Sequence, residues 1–192
     1  EPYTNLYRDP PFERAYNTLG EDPVLSGTLG ARFVRGAQAQ NVMAQAKHFI
    51  GYEGAGNVEI DGQALREIYL APFRDVARAG VASIMCSYNK VNGLHACGND
   101  SLLNGVLRAE SGFRGFITSD WGATHGAEFI VSGLDMEQPG IGPGAFYAIT
   151  KETGGGPGMT DEEKADLLET LAAGVPEEQI HIPPPPDEMP NE

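Results

Sequence analysis

At 192 residues, with 41% hydrophobic and 21% charged side chains, the chain has ordinary globular composition and enough length to bury one substantial core. Acidic residues outnumber basic ones 27 to 13, for a net charge of −14, which argues against a nucleic-acid partner, and no basic stripe argues otherwise. No apolar run reaches the roughly 18 residues of a membrane span, and Glu1-Pro2-Tyr3-Thr4 lacks the basic and apolar regions of a signal peptide, as expected of a processed or partial product.

In chain order, Asp22-Pro23 supplies an N-cap and an N1 proline for a first helix, with Val24, Leu25, Thr28, Leu29 and Phe33 as an apolar stripe at helical spacing. A strand is expected over 42–49. Leu65, Ile68, Tyr69, Phe73 and Val76 then line one face of a helix ending near Gly80, which Pro72 should kink or interrupt. A second strand is expected over 81–88. Asn99 or Asp100 caps a helix carrying Leu102, Leu103, Val106 and Leu107 and stopping at Gly112, a third strand covers 115–120, and a short fourth covers 133–136. Thr160 and Glu163 form a capping-box pattern before Leu167, Leu168 and Leu171, with Gly174 closing that helix.

Between Pro139 and Gly158 lies a Gly- and Pro-rich stretch. Gly140, Gly142 and Gly144 have neither a preceding strand nor a following Lys-Ser/Thr, so an irregular loop is expected and not a phosphate cradle. Pro183 to Pro186 and the acidic residues around them read as an extended tail. Cys86 and Cys97 flank a turn-like Asn92-Gly93, and a local disulfide and two free core thiols are about equally compatible with that placement. His95, His125 and His181 show no metal-ligand spacing with one another or with the cysteines. Asn99-Asp100-Ser101 is a glycosylation sequon, though helix capping explains it more simply.

Strands alternating with helices imply an α/β fold with a parallel sheet, either doubly wound or closed as a barrel. A complete (β/α)8 barrel needs about 250 residues; with about four strands, this chain is expected to form part of one. Parallel strands bring their C-terminal ends to one face, and the first three finish in Lys47-His48, Ser87-Tyr88-Asn89 and Ser119-Asp120-Trp121. An Asp after a strand is more often a cap or turn residue than a catalyst. Here donors, a tyrosine hydroxyl, a carboxylate and a flat aromatic converge, which suits a polyhydroxylated substrate such as a sugar.

Lys47-His48-Phe49, Cys86-Ser87-Tyr88-Asn89, Ser119-Asp120-Trp121-Gly122, Gly20-Glu21-Asp22-Pro23 and Gly133-Leu134-Asp135-Met136 together resemble the catalytic-domain motifs of family 3 glycoside hydrolases, particularly the β-glucosidase branch. The resemblance runs from about Arg8 to Pro139 and implies a partial TIM-like (β/α) barrel over 1–139. A Gly/Pro-rich loop (140–159), a terminal helix (160–174) and a Pro-rich acidic tail (175–192) follow. It implies retaining hydrolysis of terminal β-D-glucosidic bonds with Asp120 as nucleophile. Lys47 and Arg14 would favour the ionised carboxylate, and Tyr88 would hydrogen-bond it. By similarity, Arg14, Lys47 and His48 would grip glycone hydroxyls, while Met85 and Trp121 would shape the pocket.

Departures from the family pattern fall around the glycone pocket. Pro11 and Glu13 stand where the family shows an arginine and a glycine near Arg14, Asn17 where it shows an acid, and Gly62-Gln63 where it shows an acidic-basic pair. The barrel's opening strands, with the family's glycone-binding aspartate, have no counterpart. In the β-glucosidase branch the general acid/base glutamate comes from a following sandwich domain, so a missing domain or a partner chain is expected to supply it. Lys47-His48-Phe49-Ile50-Gly51-Tyr52 also departs from the Lys-His-Phe-Pro-Gly-His pattern of the N-acetylhexosaminidase branch. No metal or organic cofactor is implied, and an extracellular or periplasmic location follows from the resemblance alone. A non-catalytic sugar-binding or structural remnant is the alternative to an enzyme.

Overall fold

The computed structural model describes residues 1–139 apart from 9 and 55; the expected loop, terminal helix and tail lie outside the described residues. Helix α1 (Pro23–Gln38) starts where Asp22 places Oδ1 2.8 Å from the amides of both Val24 and Leu25. There follow β1 (Gln45–Phe49), β2 (Asn57–Val58), α2 (Gly62–Ala64), α3 (Leu70–Arg78), β3 (Ser83–Cys86), β4 (Lys90–Val91), β5 (Leu94–His95) and β6 (Phe116–Thr118).

The main sheet has the order β1-β3-β6, all parallel, with Lys47, Met85 and Thr118 in register. Single parallel bridges extend it at both sides, Tyr3 to Lys47 and Met136 to Thr118. The expected strands are therefore present but shorter than their apolar runs, and the fourth contracts to the bridge at Met136. The pairing at Tyr3 was not foreseen. Ala46, Ile84 and Ile117 face the helices and join the main core with Phe49, Phe73 and Leu103. Gln45, Ser83 and Thr118 alternate to the other face, where Gln45 Nε2 donates to Ser83 Oγ at 2.8 Å and Thr118 Oγ1 at 3.0 Å. The side chains of Lys47 and Met85, two residues on, share that second face and approach the site at the strand ends.

Helix α1 corrects one expectation. Its apolar stripe is not its buried face: Val24, Leu25, Leu29 and Phe33 are exposed, whereas Ser26, Gly27, Gly30, Ala31 and Val34 are buried against α3. Small side chains permit that approach, since a Cβ on Gly30 would stand 2.9 Å from Val76 Cγ1 and 3.0 Å from Thr4 Cγ2.

The expected break at Pro72 takes the form of a change in winding. The turn before α3, Leu65–Tyr69, is a wider π-type turn in which the Leu70 amide donates to Leu65 O, and the chain resumes α-helical winding with Pro72 in its first turn. The third expected helix, Ser101–Glu110, is also wound as a π-helix. Asn99 is the residue that caps it, its buried Oδ1 accepting from the Leu102 amide at 3.2 Å, which leaves the sequon asparagine in a structural role.

A small second sheet pairs β2 parallel to β4 and β4 antiparallel to β5. The β4–β5 hairpin turns through Asn92 (φ 51°) and Gly93 (φ 88°), a pair of left-handed residues that only Asn-Gly-type dipeptides adopt readily. Of the two cysteine readings, the disulfide is the one formed: Cys86 and Cys97 are bonded, with their Cα atoms 5.2 Å apart.

Candidate active site

The ends of β1, β3 and β6 bring His48, Tyr88 and Asp120 together. His48, 1% exposed, lies with Nε2 3.2 Å from Asp120 Oδ2. Its ring is wedged edge-on between Tyr3 and Tyr52, at 5.1 and 5.0 Å between centroids. Burial, reinforced by the positive charges of Lys47 and Arg14, pushes the imidazole pKa down to about 3, so His48 is neutral at ordinary pH. The pair is thus a carboxylate beside a neutral imidazole, and its Nε2 contact is a polar contact and not a charged bridge.

Asp120 is held by its own loop and by the neighbouring Tyr88. Oδ1 accepts the Trp121 amide at 2.7 Å, a turn made by its own loop, while the buried Oδ2 makes no well-aligned hydrogen bond. Tyr88 borders the same carboxylate and donates its hydroxyl to Trp121 O at 2.9 Å. Burial and then the negative charge of Asp120 push the Tyr88 phenol up to about 12, which keeps it a neutral donor. Arg14 stacks over Tyr3 at 5.8 Å. Burial opposes its charge, but the hydrogen bond to Tyr52 and the acidic groups around it, Asp120 included, outweigh that and raise its pKa.

The other expected residues occupy the rim. Lys47 Nζ pairs with Glu1 Oε2 at 2.5 Å and not with Asp120, whose negative charge contributes to the raised pKa of Arg14. Lys47 lines an open cleft of about 780 Å³ together with Tyr3, Arg14, Leu29 and Phe33. Asp120 does not line that cleft, which Tyr3 and Arg14 border. Met85 is buried on the site face of β3, away from the helix-side core. Trp121 is 64% exposed, a flat indole beside the carboxylate that packs on little of the protein.

Sequence reasoning missed Tyr3, Asn5 and Tyr52. Tyr3 and Tyr52 form an aromatic cluster with Phe12, against which Tyr88 packs. Asn5 bonds the His48 backbone. The usable signal was the aromatic content of Tyr3 and Tyr52 close to motif residues, but neither lies in a run long enough to announce a strand. Among the described residues no group of three or more His, Cys, Asp or Glu side chains gathers as a metal site.

The model of the glycosyl hydrolase family 3 N-terminal domain matches residues 1–140. The chain belongs to that family. Beta-glucosidase 1 of Saccharomycopsis fibuligera is 43% identical over 147 residues, covering 66% of this chain and 17% of that protein. A probable beta-glucosidase L of Aspergillus fumigatus is 39% identical over 176 residues, covering 86% and 24%. Among solved structures, beta-glucosidase from Kluyveromyces marxianus in complex with glucose superposes with a TM-score of 0.75 at 32% identity, covering 90% of this chain and 22% of that one. Beta-glucosidase 3B from Thermotoga neapolitana in complex with glucose gives 0.72 at 35%, covering 93% and 25%. The family 3 domain accounts for the parallel βα array as a portion of a TIM-like barrel. The chain spans about a fifth of the length of the curated relatives it matches.

Proposed function

We propose that this chain carries the nucleophile half of a retaining β-glucosidase site, acting on terminal β-D-glucosidic bonds. The observation that carries the reading is the buried Oδ2 of Asp120 at a strand end, which makes no well-aligned hydrogen bond and lies 3.2 Å from a neutral imidazole. An oxygen left without a hydrogen bond in a buried position is expensive unless a ligand meets it. The names of the relatives, and the glucose held by two of the solved structures, support the substrate class.

In this mechanism Asp120 Oδ2 attacks the anomeric carbon as the bond to the leaving oxygen breaks, and that oxygen takes a proton from a general acid. The glycosyl ester on Asp120 is then cleaved by water, which gives its proton to the same group, now a base, and the β-configuration is restored. His48 Nε2, the Arg14 guanidinium and Lys47 Nζ would hold glycone hydroxyls. Tyr88 would keep the carboxylate in place, Trp121 would cover one sugar face, and Met85 would close the floor. The acid/base is a glutamate from a sandwich domain or partner chain.

The test uses a 2-deoxy-2-fluoro glucoside with a good leaving group, which requires the nucleophile and little help from an acid. Intact-mass measurement should find one glycosyl unit added to the wild-type chain and none added to Asp120→Asn. A folded chain that takes up no label overturns the nucleophile assignment for these residues. Glucose binding without labelling would instead support a sugar-binding remnant.

A further inference from the structure

His48 is held at the site by few bonds of its own side chain. Its Nδ1 is buried with no hydrogen-bond partner, and the 3.2 Å approach of Nε2 to Asp120 is not well aligned. The main chain of the same residue is gripped firmly. Asn5, buried at the sheet's first edge, donates from Nδ2 to His48 O at 2.7 Å and accepts the His48 amide at Oδ1 at 2.6 Å. A side-chain amide used in this two-pronged way takes the place of a neighbouring strand's backbone at one residue. The rest of the segment is paired independently: the Thr4 amide donates to Lys47 O at 2.8 Å, and the Lys47 amide to Pro2 O at 3.2 Å.

We propose that Asn5 is a positioning residue, whose double hydrogen bond to the His48 backbone sets the His48 imidazole against Asp120 and so fixes the geometry in which a glycoside meets the carboxylate. The inference rests on the reading of the Asp120 and His48 pair as the reacting site. A ring clamped only by packing between Tyr3 and Tyr52 turns with its backbone, so a small rotation at residue 48 moves Nε2 away from Oδ2. Misplacement of that order costs about a hundredfold in a site that depends on alignment.

The experiment compares the full chain with Asn5→Ala and with Thr4→Val, which removes a hydroxyl from the same buried segment and leaves Asn5 in place. The groups that face His48 are Asp120, Lys47, Arg14, Tyr3 and Tyr52, and all remain in both variants. The first readout is the titration of the His48 imidazole by NMR, assigned with His48→Gln. The second is the rate of labelling by the 2-deoxy-2-fluoro glucoside. In wild type and Thr4→Val, His48 should stay neutral down to about pH 3. In Asn5→Ala its midpoint should rise toward the ordinary histidine range, and labelling should slow by about tenfold or more.

An unchanged titration with an unchanged labelling rate in Asn5→Ala overturns the inference and leaves the nucleophile assignment standing. A shifted titration in Asn5→Ala, with a wild-type chain that does not label, supports the hold of Asn5 on the His48 ring alone and removes the nucleophile assignment. Should Asn5→Ala lose its native dichroism, Asn5→Ser and wild-type hydrogen exchange decide. A slowly exchanging His48 amide, with an intermediate His48 shift in Asn5→Ser, supports the clamp, and a freely exchanging amide overturns it.

Discussion

His48 ties the chemistry of single residues to the stability of the fold. Its folded pKa of about 3 lies below the 6.5 of an exposed histidine, so on acidification the unfolded chain takes up the proton first. The stability contributed by a neutral His48 is therefore complete above about pH 6.5 and is lost as pH falls from there toward 3, with a slope of at most ~1.4 kcal/mol per pH unit. Urea midpoints between pH 7 and 4 should decline less steeply in His48→Gln than in wild type; parallel declines would assign the acid sensitivity elsewhere. His95, lowered in the same direction by burial and by His125, contributes to both chains equally and cancels in the comparison. At this scale the site was partly legible. Lys47, His48, Tyr88 and Asp120 stand at the ends of apolar runs, where a parallel sheet makes polar residues converge. Tyr3 pairs with Lys47 through one bridge too short to leave any period, Asn5 reaches His48 through its side chain alone, and Tyr52 lies past the end of β1, so only three-dimensional proximity connects them to Asp120.

Among the elements, α1 shows why hydrophobic periodicity found the helix and misplaced its face. Its large apolar residues form the more obvious stripe, yet the face with Gly27 and Gly30 approaches α3 closely enough that a bulky side chain has no room. A Cβ at Gly27 would stand 2.6 Å from Asp75 Oδ2, whereas one at Gly36 would meet nothing within 4 Å. Two substitutions in the same helix should therefore act with opposite signs. Gly30→Val should destabilise by roughly 1–3 kcal/mol through overpacking against Val76 and Thr4. Gly36→Ala, on an exposed turn of the helix, should stabilise by up to about 1 kcal/mol. Chemical denaturation of the two variants checks the pair, and equal effects would mean that α1 does not pack on α3 through its small residues. The wide turn before Pro72 was equally hidden from periodicity, because a π-type turn shifts the register by one residue without changing which residue types are apolar.

Across the whole molecule, the Cys86–Cys97 bond joins the two sheets. Cys86 ends the central strand of the main sheet, Cys97 follows the β4–β5 hairpin of the small one, and between them run Tyr88, which borders Asp120, and Asn89, whose Nδ2 donates to Ile50 O at 3.2 Å. The positions of both cysteines were visible in the sequence, but the choice between thiols and disulfide depended on β3 and the hairpin meeting at a Cα separation of 5.2 Å, which spacing alone does not determine. The sequence separation of 11 closes a short loop, so the cross-link should contribute roughly 3 kcal/mol, mostly by restricting the unfolded chain. Replacing both cysteines by alanine should lower the melting temperature by several degrees, and a reductant should then have no further effect on the variant while lowering that of wild type under conditions that open the buried bond. The same variant separates fold from site: the loop carrying Tyr88 loses its tether, so labelling at Asp120 should slow even at temperatures where the chain remains folded. A stability loss with an unaltered labelling rate would show that Tyr88 is held by its hydrogen bond to Trp121 alone, and that the disulfide serves the joining of the two sheets without reaching the carboxylate.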